Sequence, residues 1–327
     1  MPLARRAALA ASLTPTLLRS GAGAQPRSTG AAWPARPVRI IVPFAAGGPT
    51  EVPARFIAEH LSGRLGQPFV VEPRPGAGGA LGVQAALAAN DGHTLLFTTS
   101  SVAILPSLMR DPGFDPFRDL LPVTLATDAP LVLLTRPDHH LRDLNDLVAK
   151  ARARPDALSY GSSGNGSTTH LAGELLRTRA NVPMLHVPYR GMAPATNALL
   201  AGDTDTLVVG MVEAMPHLRD RRLRALLVTT PARIPQLPDV PAVAEVSPGF
   251  AITIWYALFA PRGTPGAVVA RLAEEVVPLR QGTALARRME ESGVALLLDG
   301  PAPLADRLRR EVPLFRDLIA ASNIRPD

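Results

Sequence analysis

An α/β protein of two lobes built on largely parallel sheets is what this sequence predicts, and three observations carry that expectation. Short β-rich runs alternate with helix-patterned stretches almost to the end of the chain. With 327 residues, 46% of them hydrophobic, there is enough apolar material for two cores. Two proline-marked passages, "ATDAPLVLLTRP" (126–137) and "IPQLPDVPAVAEVSPGF" (234–250), read as an outward and a return crossing between lobes. They give a discontinuous first domain, 36–127 plus 249–327, around an inserted second domain, 128–248. A cleft between two such domains is where small ligands usually bind.

Residues 1–24 stand apart from this pattern. "MPLARR" is a basic start, "AALAASLTPTLL" a weakly apolar stretch, and Ala22-Gly23-Ala24 a small-x-small cleavage pattern. Together they read as a secretory signal peptide, with a disordered extension as the alternative, followed by a lead-in over 25–35. The expected strands are "PVRIIVPF", "QPFVVEP", "HTLLFTTS", "LLPVTLA", "LVLLTR", "MLHVPY", "DTLVVG", "LRALLVTT" and "VALLLD". Between them, amphipathic stretches at 51–65, 143–153, 171–180, 193–201 and 265–279 are expected to be helices.

Composition excludes several functions. No apolar run reaches the ~20 residues that span a bilayer, so the mature protein is expected to be soluble. The net charge of +6 loses Arg5, Arg6 and Arg19 with the signal segment, leaving +3. Lys150 is the single lysine, and the one dense basic cluster, "RDRRLR" (219–224), reads as a solvated turn. Aromatic residues are scarce at 4%, so base stacking is not supported and no nucleic-acid partner is expected. The absence of cysteine rules out thiol catalysis, cysteine-ligated zinc and disulfides.

Two loops carry the chemistry. In "PVRIIVPFAAGGPTEVPARFIAEHL" a strand runs through Ala45-Ala46-Gly47-Gly48 into a helix, so backbone N–H groups and the helix dipole converge on the turn. Alone, this is as much a tight turn as an anion site. "YGSSGNGSTTHLAGELL" (160–176) repeats the logic: Ser167 or Thr168 suits the N-cap, and Ser162, Ser163, Gly164, Asn165 and Gly166 form a donor-rich approach. Both loops lack an obligatory cation, which suits a carboxylate. Enzyme signatures are missing: there is no G-x-S-x-G elbow, no H-E-x-x-H and no P-loop. His170 could reach a ligand or serve the loop's own hydrogen bonding. "VVEPRPGAGGALG" (70–82) has misplaced glycines for a dinucleotide fingerprint and is set aside. No cofactor and no metal site is expected.

Seven blocks in order, "WPARPVRIIVPFAAGGPTE", "LGQPFVVEPRPGAGGALG", "DGHTLLFTTS", "SYGSSGNGSTTHLAGELL", "HVPYRGMAPATNALLAGDTD", "LRALLVTTPARIPQLPDVPAVAE" and "WYALFAPRGTP", make the chain resemble a known family. It is similar to the extracytoplasmic solute receptors of tripartite tricarboxylate transporters, the Bug receptors, over essentially all of its length after residue 24. The resemblance implies a type II periplasmic binding-protein fold, two α/β domains joined by two crossings and closing on a small carboxylated solute. It also implies a periplasmic, monomeric receptor that delivers the solute to membrane permease subunits. An exported sensor or a drifted binding protein, a regulator's effector domain and an exported α/β enzyme remain as alternatives.

Carried onto this sequence, the gripping loops are Phe44, Ala45, Ala46, Gly47, Gly48, Thr50 and Glu51, and Ser162, Ser163, Gly164, Asn165, Gly166, Ser167, Thr168 and His170. Thr98, Thr99, Ser100, Tyr189, Gly191, Val209, Gly210 and Trp255 would line the rest of the cleft. Pro49 stands where the family commonly has serine, Glu51 where it has aspartate, and Val209-Gly210 where an Asp-Asn pair is common. These departures imply a cleft poorer in polar groups and a solute less polar than an amino acid or citrate, an aromatic or branched monocarboxylate with Val209 and Trp255 as apolar wall.

Overall fold

The computed structural model describes residues 33–249, 251–322 and 324. The expected signal peptide therefore lies outside the described residues. The first strand, β1 (Val38–Val42), is buried on both sides, as a parallel strand with helices on both faces must be. Val38, Ile40 and Val42 pack with Ala54, Ile57 and Leu61 of helix α1 (Glu51–Leu65), while Ile41 faces the opposite core with Ala80 and Val83. α1 ends at Gly66 in the left-handed conformation (φ +72°), whose N–H returns to the Ser62 carbonyl. Strand β2 (Phe69–Pro73), helix α2 (Ala80–Ala89), strand β3 (Thr94–Thr99) and helix α3 (Ser101–Leu108) follow, and β1 pairs in parallel with both β2 and β3.

The outward crossing is β4 (Leu120–Thr135), one 16-residue strand where the sequence predicts two separate ones. Its two prolines suggest an interruption, but both occupy points where the ladder already breaks. Pro122 sits at a register shift against β9 (Thr253–Pro261), and Pro130 marks the handover from the first sheet to the second. Beyond it come α4 (Leu144–Ala153), β5 (Ser159–Ser162), α5 (Thr168–Arg179), β6 (Leu185–Pro188), α6 (Met192–Ala201), β7 (Thr206–Gly210), α7 (Met211–Arg219) and β8 (Arg224–Val228). β5 pairs in parallel with β6 and β7, while β4 pairs antiparallel with β7 and β8.

Ala242, inside the passage expected to be the return crossing, still bridges Val228 of the second sheet, and it is β9 that carries the chain back, antiparallel to β3 and to β4. The chain closes with α8 (Gly266–Val276), α9 (Ala284–Glu291), β10 (Ala295–Asp299) and the long α10 (Pro301–Ser322). The first sheet runs β2-β1-β3-β9-β4-β10 and the second β8-β4-β7-β5-β6. Both are mixed rather than largely parallel, because the two crossing strands run against their neighbours. One core cluster joins α2, α3, α5 and α10, so apolar packing is continuous from one sheet to the other.

A polar knot locks the second sheet. The Asp205 carboxylate accepts from the Ser159 amide (2.8 Å), the Ser159 hydroxyl (2.8 Å) and His139 Nε2 (3.0 Å). Burial is the largest influence and pushes the acid up, yet these donors hold its pKa below the ordinary aspartate value. A depressed folded-state pKa stabilises the fold above the unfolded pKa, and that stability is lost as pH falls through the acid range. Asp205→Asn is therefore expected to cost about 1–3 kcal/mol at neutral pH, with the gap to the unaltered protein narrowing towards acid pH. Thermal melts from neutral to acid pH check it; a pH-independent gap would count against this account.

Candidate functional site

β1, β2 and β3 are mutually parallel, so the loops that follow them emerge at one edge of the first sheet. The loops after β5, β6 and β7 emerge likewise at one edge of the second sheet. Carboxyl ends of parallel strands are where α/β sheets bind ligands. Here residues at or just beyond the ends of all six strands line one cavity of about 690 Å³, within the ~300–1,000 Å³ typical of small-molecule sites.

The first loop contributes Phe44, Gly48, Pro49 and Thr50. Ala45, Ala46 and Gly47 are exposed off its wall. The expected amide cradle is partly filled by the chain itself: Glu51, 5% exposed, turns back so that its carboxylate accepts the Gly47 amide and pairs with Arg55. The Gly47 N–H, then Arg55, holds the Glu51 carboxyl below its usual range. Pro49 has no N–H, so of the loop residues on the cavity wall it is Phe44, Gly48 and Thr50 that carry backbone amides.

The second loop is also more occupied than its sequence suggests. Ser167 caps α5, accepting from the His170 amide at 3.1 Å. The Ser163 amide bonds Thr169 Oγ1 (3.1 Å), the Gly164 amide Ser162 Oγ (3.2 Å), and the Gly166 amide His170 Nδ1 (3.0 Å). What faces the cavity is a run of small and hydroxylic residues, Ser163 to Thr169. Gly164 (φ +128°) and Gly166 (φ +71°) adopt the backbone that this tight path needs. Ser162 is buried beneath the loop, its hydroxyl 2.7 Å from His186 Nε2. His170 is turned away from the cavity, its ring stacked 3.7 Å from that of His186 and lining a separate hollow. Tyr189 and Gly191 line the cavity, tied to the second loop by N–H bonds to the carbonyls of Ser162 (3.1 Å) and Ser163 (3.3 Å).

Thr99 and Ser101 reach the cavity, whereas Thr98 and Ser100 are fully buried. Ser100 Oγ meets Thr168 Oγ1 at 3.1 Å, linking the first sheet's loop to the second's helix. Val209 and Trp255 do not form the apolar wall. Strand side chains alternate faces, so Ile254 and Tyr256 point into the cavity while Trp255 points to the core, where its indole N–H donates to Glu311 (2.6 Å). Val209 is likewise a core residue, packed with Val132 and Leu207. The wall is instead Phe44, Ile104, Leu105, Leu108, Met109, Ile254 and Tyr256.

Sequence reasoning also missed Ala77 and Gly78, Arg190 and Glu213, all of which line the cavity. The glycine loop set aside as a failed dinucleotide motif follows β2, and its place after a parallel strand was the available signal. Gly210 is off the wall, but it makes room for Glu213: a Cβ there would lie 2.5 Å from Glu213 Oε2. The cleft is thus not simply depleted of polar groups, since an acid three residues beyond Gly210 enters it.

Residues 53–298 match the family model described as the tripartite tricarboxylate transporter family receptor. Over 293 residues the chain is 36% identical to protein BugT of Bordetella pertussis, covering 87% of this chain and 90% of that one. The solved periplasmic binding protein BugD superposes with a TM-score of 0.77 at 32% identity, over 90% of this chain and 100% of BugD. A Rhodopseudomonas palustris protein solved with adipate gives 0.79 at 32% identity and the same coverage. MatC from Rhodopseudomonas palustris, with bound malate, gives 0.76 at 33% identity over 88% of this chain and 100% of MatC.

Proposed function

We propose, given that this chain belongs to the tripartite tricarboxylate transporter receptor family, that it is a periplasmic receptor capturing one small organic carboxylate for a membrane permease. The observation that carries the reading is the shared cavity: loops about 120 residues apart, after β1 and β5, line a single space rich in hydroxyls and small residues. Gly48 and Thr50 on one side and the hydroxyl-bearing stretch from Ser163 to Thr168 on the other are the polar surfaces offered to the acid. Phe44, Ile104, Leu105, Leu108 and Ile254 surround its carbon skeleton, which favours an aromatic or branched body over a small polar diacid.

Binding is coupled to closure. A solute that touches both halves, 36–127 with 249–327 and 128–248, stabilises the form in which they meet over the form in which they part. The chain acts as a receptor without turnover, and residues 1–24 direct its export.

The test is a melting-shift panel of aromatic and branched monocarboxylates alongside adipate, malate, citrate and aspartate. A true ligand at about 100 times its Kd adds roughly 2.7 kcal/mol, a rise of several degrees. Stabilisation by citrate or aspartate alone refutes the apolar body. No shift from any carboxylate refutes the receptor reading.

A further inference from the structure

The cavity holds a carboxylate of its own. Glu213 stands in the first turn of α7 and lines the space together with Tyr256, on whose phenol its charge acts. Burial pushes the Glu213 carboxyl above its ordinary value, opposed by its own backbone amide, and no cation figures among the influences on it. An acid drawn into a cavity costs desolvation that a capping role at an exposed helix end would not incur, and among the described residues no ion pair to Glu213 offsets it. The bare Gly210 beneath it leaves the space that Oε2 occupies. The other charged residue on the wall, Arg190, is exposed at the rim next to Tyr189 and Gly191, hard by the hydroxyl-lined second loop.

The cavity therefore has an anion-accepting side, the second loop with Arg190, and an acid besides. A solute that brings only carboxylates meets Glu213 as a like charge in a partly desolvated space. One that also brings an ammonium group satisfies both. We propose that Glu213 is a specificity-determining residue that selects carboxylates bearing a protonated amine on an apolar skeleton. This rests on the carboxylate-receptor reading above and names the solute's second group.

Calorimetric titration of the unaltered protein and Glu213→Gln against matched pairs tests it: L-leucine with 4-methylpentanoate, L-phenylalanine with 3-phenylpropanoate, and adipate as a diacid. Melting curves establish first that the variant is folded. The amine member is expected to bind about tenfold or more tighter than its deaminated partner, and the preference to shrink to about threefold or less in Glu213→Gln. If a deaminated partner or adipate binds the unaltered protein as tightly as the amines, or the preference survives in Glu213→Gln, this inference is overturned and the receptor reading stands. If no compound binds, this inference falls, and the melting-shift panel above decides the receptor reading separately.

Discussion

Replacing Arg307 by methionine is expected to destabilise the protein by about 3–5 kcal/mol and lower its Tm by about 10 °C. The Arg307 side chain is 15% exposed and donates to Asp128 Oδ2 at 2.9 Å, to Glu311 and to the Thr253 hydroxyl. Glu311 in turn accepts the Trp255 indole N–H. Burial, the largest influence, works against the Arg307 charge, yet Asp128 and then Glu311 hold its pKa above the ordinary arginine value. Removing the guanidinium leaves two largely buried carboxylates facing each other without a cation, which costs far more than the pair itself contributes. The position matters as much as the charge. Asp128 lies on β4 just before the handover between sheets, and Thr253 opens β9, the return crossing. One α10 side chain thus ties both crossing strands. Arg307→Lys keeps the charge without the fork and should fall between the two. Urea and thermal unfolding of the three proteins decide it; a methionine variant melting within about 2 °C of the unaltered protein would sink the claim.

None of that anchor was legible in the sequence, because it joins residues from three distant segments. What periodicity could show, it showed: most strands and amphipathic helices fall where alternation of apolar and polar residues predicts them. The misreadings have specific physical causes. Pro122 and Pro130 suggest a broken β4, but a strand interrupted at a bulge and at a change of sheet tolerates them. β5, four residues reading "SYGS", is too short and too rich in glycine and serine to signal a strand, yet it is the support of the second loop. "TIWYALFAP" is all but continuously apolar, so periodicity could not say which of Ile254, Trp255 and Tyr256 faces the cavity.

The site shows the same division. Two glycine- and hydroxyl-rich loops were visible as donors, but their internal hydrogen bonds were not. Glu51 taking the Gly47 amide, and His170 taking the Gly166 amide, are satisfied in three dimensions by residues four positions away. Sequence alone credits those N–H groups to a ligand. Glu213 was invisible for a different reason: an acid in the first turn of a helix is ordinary at an exposed end, and only the cavity wall gives it another meaning.

Gly166→Ala is expected to lower solute affinity by about tenfold or more, at a cost in stability of only ~1–3 kcal/mol. Gly166 has φ +71°, where a side chain strains the backbone, and the added Cβ would lie 2.2 Å from Leu108 Cδ2. Leu108 is the last residue of α3, so this contact joins the first sheet's helix to the second sheet's loop. The leucine end can swing aside, but Leu108 already lines the cavity and the open direction is the space the solute would fill. If it stays, the second loop must retreat and the two halves meet less closely. Either way the bound form is penalised more than the empty one, which is what loss of affinity requires. Adding Leu108→Ala removes the clash and leaves the backbone strain. Gly166→Ala should therefore cost much less affinity in the Leu108→Ala background than alone, while the double variant remains less stable than the unaltered protein. Titrating the carboxylate that binds the unaltered protein into all four members of this cycle tests the argument. Unchanged affinity in Gly166→Ala would show that the loop and α3 do not close on the solute together.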